Sequence, residues 1–166
     1  RFLQEYMADF KKTEGLVYKE FNREKHVYTA IPSDIGIVEV IAGVDFGFHS
    51  PAAVIQLWRD HSDCYWVEEE FYETGRTDAD VAEFVASKNF NRVYPDPESA
   101  GGIQEMRRRG VNIKVVNKGK DSIKNGIDRV RDLLRANKLK VKNTCINTIM
   151  EFETYSYADK KPDHNP

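Results

Sequence analysis

The stretch "IVEVIAGVDFGFHS", residues 37–50, decides how the chain is read. Its first nine residues are rich in β-branched side chains and run without a break into Asp45. Residues of that kind fit a pleated, half-buried surface, so the run predicts a strand that ends on a carboxylate. Gly47, two places on, lets the backbone turn sharply or lets a phosphate come close. Taken alone, Asp45 suits a turn or cap as well as it suits a ligand.

Two more strands follow, "AAVIQLWRD" (52–60) and "DCYWVEEEFYE" (63–73), with the turn signals "GFHSP" and "RDHS" between the three. Such a run suits an antiparallel meander. The pattern then changes. Thr77 and Asp80 have capping-box spacing, and Val81, Phe84 and Val85 share a helical face. "RVYPD" (92–96) reads as a short strand, and "ESAGGIQEMRRRG" (98–110) as a helix stopped by Gly110. "VNIKVV" (111–116) reads as a strand. Ile123, Ile127, Val130 and Leu134 then recur at helical spacing, with Asp121 or Ser122 as cap. "KLKV" (138–141) predicts a strand, and "TCINTIMEFETY" (144–155) a last helix with Ile146, Ile149 and Met150 on one face. Three strands followed by alternating helices and strands predict an α/β fold. Its mixed sheet has five or more strands, flanked by helices on both faces. Residues 1–36 show no steady period and are expected as a linker or lead-in segment packing on a domain of residues 37–166.

Bulk properties narrow the function. A chain of 166 residues, 40% hydrophobic and 31% charged, suits one globular domain. A formal net charge of -2 excludes a polycation, so any nucleic-acid contact has to come from a local patch. No run approaches the roughly 20 apolar residues of a membrane span, and no signal peptide is visible. Cys64 and Cys145 sit in apolar contexts and read as buried thiols of a reducing compartment. "NKGKDS" (117–122) lacks the upstream glycine of a P-loop and places Asp where Ser or Thr should follow Lys, so no ATP hydrolysis is expected. The chain does not begin with Met and reads as part of a longer protein.

Asp96 closes the fourth strand, and Pro97 cannot continue a ladder. If the first and fourth strands are parallel neighbours, Asp45 and Asp96 meet at one sheet edge, where α/β folds place ligands. Two adjacent carboxylates repel unless something positive lies between them. Oxygen-only ligands favour Mg²⁺ or Mn²⁺, and two such ions about 4 Å apart can clamp a phosphodiester. Lys118, Lys120 and Lys124 follow a strand and open a helix, so they are candidates for phosphate contact, against the alternative of a solvated surface. Arg107, Arg108 and Arg109 lie at a helix end that favours cations anyway. His49 suits a turn. No element looks built to read bases, so contacts to DNA are expected to be sequence-non-specific.

The segments "GVDFGFHSPAAV", "RVYPDPESAGGIQEMRRRGVNIKVVNKGKDSIKNGI" and "CINTIMEFETYSY", in that order, resemble the nuclease domain of the large terminase subunit of tailed bacteriophages. The resemblance covers about residues 14–166. It implies a ribonuclease-H-like fold and metal-dependent cleavage of double-stranded DNA during genome packaging, in the cytoplasm of an infected bacterial host. Asp45 and Asp96 match the first two acidic residues of the family. Asp45 would bridge two ions, Mg²⁺ or Mn²⁺, and Asp96 would hold one. The third acid of the family is expected beyond Pro166; Asp163 and His164 lie near its place without matching it. An N-terminal ATPase domain, a portal and a small terminase subunit are the implied partners. Two other readings remain open on the sequence: a non-catalytic DNA or portal docking domain, and an actin- or sugar-kinase-like ATP-binding fragment.

Overall fold

The computed structural model describes residue 4 and residues 15–157. Among these, helix α1 (Arg23–His26) leads into strand β1 (Val27–Tyr28). The meander β2 (Ile37–Asp45), β3 (Ala52–Asp60) and β4 (Tyr65–Glu73) follows. Then come α2 (Asp78–Ala86), β5 (Arg92–Pro95), α3 (Ala100–Arg108), α4 (Ser122–Arg135), β6 (Leu139–Lys142) and α5 (Ile146–Thr154). The six strands form one sheet in the order β1-β6-β4-β3-β2-β5. β2, β3 and β4 pair antiparallel, as the turn signals predict. β5 adds to β2, β6 to β4 and β1 to β6 in parallel, so the sheet is mixed, as expected.

Side-chain alternation along β3 divides the core in two. Val54 joins Ala42, Val44, Val93 and Met106 beneath α2 and α3. Its neighbour Ile55 packs on the other face with Val67, Leu134, Val141 and Ile149, beneath α4 and α5. Helices therefore cover both faces. The capping box of α2 is present in full: Asp80 N–H donates to Thr77 Oγ1, and Thr77 N–H to Asp80 Oδ2.

Four details depart from the sequence reading. The segment expected as a lead-in supplies the sheet's β1 strand and the buried residues Val17 and His26. Glu20 accepts hydrogen bonds from Arg131 and Arg135 of α4, tying that segment to the helix layer. "VNIKVV" forms only a one-residue bridge, Ile113 to Val93, and Val116 is 55% exposed. The cause is Pro95. Val93 N–H donates to Asn112 O and Lys114 N–H to Val93 O, and the next rung would need an N–H at residue 95. In α4 only the C-terminal part of the apolar stripe meets the sheet: Leu134 is buried and Ile123 is 62% exposed. In α5 the buried face is Cys145, Ile149 and Phe152, while Ile146 and Met150 point outward. Glu70 of β4 sets that rotation. Its Oε1 accepts from Asn147 N–H and its Oε2 from Thr148 N–H, 2.9 and 2.8 Å away, so a neighbouring strand caps the helix.

Candidate metal centre

The parallel register between β2 and β5 pairs Val44 with Pro95. Asp45 and Asp96, one residue further along each strand, therefore emerge side by side. Asp96 N–H donates to Val44 O at 2.9 Å and holds the second strand end against the first. Beyond Asp45 the chain turns through Gly47, where a Cβ would lie 2.6 Å from Ser50 O; the glycine supplies the turn. Phe46 anchors the corner. Its ring packs so closely on α3 that a Cβ at Gly102 would come within 2.4 Å of it.

The two carboxyls differ in environment. Burial, and then the charge of Asp96, raise the pKa of Asp45 above the ordinary carboxylate value, while Lys118 opposes the rise. Asp96 is held below its ordinary value by the Glu98 N–H that donates to it and by Lys118. The Lys118 ammonium lies 3.0 Å from Asp96 Oδ1 and 3.5 Å from Glu98 Oε1.

Of the three candidate lysines, the structure thus places Lys118 on Asp96. Lys120 and Lys124 stand exposed in the turn before α4 and in its first turn. Arg108 and Arg109 pair with Glu105. His49 is exposed, its ring edge-on to Phe48. Asp163 and His164 lie outside the described residues. Among the described residues no group of three or more His, Cys, Asp or Glu forms a ready-made cation site, so Asp45 and Asp96 stand as a pair. The ion pair of Lys118 with Asp96 is the feature that the sequence reading missed, because it spans a whole helix and the segment after it, a separation that no local spacing encodes.

A cavity of about 410 Å³ opens on the same face as α5, lined by Ala53, Ile55, Tyr72 and Phe152 among others; neither Asp45 nor Asp96 lines it. Cys64 and Cys145 are free and buried, and burial pushes the Cys145 thiol up to about 11. No helix among the described residues is long and apolar enough to cross a membrane.

A mixed six-stranded sheet covered on both faces, with acidic residues ending its adjacent parallel strands, is the architecture of ribonuclease-H-like domains. Residues 45–165 match the family model of the terminase RNase-H-like domain. The chain belongs to that family. Among solved structures, the nuclease domain of the P22 large terminase superimposes with a TM-score of 0.69 at 22% identity, over 86% of this chain and 79% of that one. A large terminase from a thermophilic bacteriophage, in complex with ATP-gamma-S, gives 0.71 at 22% identity, over 86% of this chain. This chain spans 38% of that longer one. The large terminase nuclease of thermophilic phage G20c with bound magnesium gives 0.66 at 17% identity, over 86% and 81%. At these identities the likeness is one of fold. No curated protein matches the sequence.

Proposed function

We propose that this domain is a divalent-metal-dependent endonuclease that cuts double-stranded DNA during viral genome packaging, with Asp45 and Asp96 as cation ligands. The observation that carries the reading is the juxtaposition of these two carboxylates at the ends of adjacent parallel strands. The residues present fit such an ion. Both offer only oxygen, and Asp96 already accepts one cation, the Lys118 ammonium. The magnesium in the G20c nuclease supports the choice of a hard ion.

When bound, Mg²⁺ or Mn²⁺ supplies charge stabilisation for the attacking and leaving oxygens of an in-line displacement at phosphorus. The chain's own part is to bind and orient. β2 and β5 fix the two carboxylates, and Phe46 locks the corner that carries Asp45. Lys120 and Lys124, at the start of α4, would meet the phosphate backbone without reading sequence. An ATPase domain, a portal and a small terminase subunit are the proposed partners in the packaging motor, within the infected host's cytoplasm.

The test is Asp45→Asn and Asp96→Asn, assayed on plasmid DNA with Mn²⁺ or Mg²⁺. Loss of cleavage is expected in both variants. Retained cleavage in either one removes the assignment.

A further inference from the structure

Lys118 folds back onto the strand end that carries Asp96. It closes the segment 114–118, which leaves the sheet at the Val93–Ile113 bridge and has no regular structure before α4. That segment is released because Pro95 ends the ladder beside it. Its end reaches back to the strand tip. There the ammonium sits on Asp96 Oδ1, the oxygen that also accepts the Glu98 N–H, with the Glu98 carboxylate as a second acceptor 3.5 Å away. Lys118 is 43% exposed and Glu98 78%, so the ion pair is open to solvent. A charge-assisted hydrogen bond to Asp96 holds it there, with Glu98 as an alternative acceptor.

We infer that Lys118 is the resident counter-ion of the cation site, neutralising Asp96 in the metal-free domain and yielding that oxygen when a divalent ion enters. This rests on the proposed role of Asp96. A divalent ion on Asp96 would stand within a few ångströms of the ammonium, and like charges at that range repel. Glu98 is the nearest place for the displaced ammonium to go, and a substrate phosphate is the other. Entry of the ion and release of a cation toward the DNA backbone are then one event, and Lys118 serves as a positioning residue with two stations.

The consequence for affinity has a definite sign. Removing the ammonium removes a competitor and a repelling charge together, so both effects tighten metal binding. An ion pair this open has a modest strength, which corresponds to a gain of roughly three- to tenfold. The experiment is calorimetric titration of Mn²⁺ into the 166-residue protein, the Lys118→Met variant, the Asp96→Asn variant and a Lys114→Met control. Lys114 is exposed on the same segment, so its substitution makes the same change in net charge. Thermal melts confirm that each variant is folded.

The expected pattern is a roughly three- to tenfold tighter Kd for Lys118→Met, loss of the site in Asp96→Asn, and a Kd within about twofold of the parent for Lys114→Met. Unchanged or weaker binding in Lys118→Met, with Asp96→Asn still losing the site, overturns the counter-ion role and leaves the cation site standing. Equal tightening in Lys114→Met also overturns it, because the effect would then be one of net charge. Mn²⁺ binding that survives Asp96→Asn, or no binding by the parent protein, removes the cation site itself and the inference with it.

Discussion

Gly101 and Gly102 sit side by side in α3, and the structure assigns them opposite responses to alanine. A Cβ at Gly102 would lie 2.4 Å from two atoms of the Phe46 ring and 2.6 Å from a third. That ring packs against the buried core, so it has little room to retreat. At Gly101 the added carbon would meet only the end of the Asp78 side chain, at 2.9 Å, which can swing into solvent. Both substitutions gain the same helix term, about 0.5–1 kcal/mol for Gly→Ala in a helix interior. Only Gly102→Ala also incurs overpacking, about 1–3 kcal/mol. The difference between the variants isolates the clash. Taken as about 2 kcal/mol, it places the melting temperature of Gly102→Ala roughly 4–8 °C below that of Gly101→Ala. Differential scanning calorimetry of the two proteins reads it directly. Equal melting temperatures, or a Gly102→Ala protein above Gly101→Ala, would refute the claim that Phe46 is wedged against α3.

Two further outcomes follow from His26 and Glu70. His26 is 1% exposed; its Nδ1 accepts from Asn22 N–H at 2.9 Å, and its Nε2 then donates to Leu134 O at 3.0 Å. Burial lowers its pKa most, so the unfolded chain binds the proton more readily, and stability falls as pH drops below the ordinary histidine value of about 6.5. Urea midpoints at about pH 7.5 and 5.5, on either side of that value, should differ in the parent protein and converge in His26→Gln; an unaltered pH dependence in the variant would count against this account. Glu70→Ala removes the cap that β4 supplies to α5 and should cost about 1–2 kcal/mol. Hydrogen exchange at the Asn147 and Thr148 amides should then lose protection first, and protection that persists there would show that Glu70 does not hold the helix.

The meander and its parallel additions were legible because β-branched runs, turn residues and a capping box each act within a few residues of themselves. The closeness of Asp45 and Asp96 was legible only conditionally, on the first and fourth strands being parallel neighbours. What escaped the sequence lies in pairings without local period. A two-residue strand such as Val27–Tyr28 is too short to show alternation, and its place in the sheet depends on β6, near the other end of the chain. The outward turn of Ile146 and Met150 follows from Glu70, a carboxylate on a different strand. "VNIKVV" has full strand character and fails because of a missing proton on its neighbour, Pro95. Lys118 looks like one of three similar lysines until the chain folds it onto Asp96.

Pro95 has an effect beyond that segment. β5 stands at the end of the sheet, and the outer side of such a strand is where foreign chains can attach by main-chain pairing. A proline whose nitrogen faces that side leaves a gap in the row of donors, and four residues of strand offer little else to template on. That gap leaves the outer side of β5 one main-chain donor short for pairing with another chain. Its location, one residue before Asp96, puts the end of the pairing on this edge of the sheet and the proposed chemical centre under the control of a single imino acid.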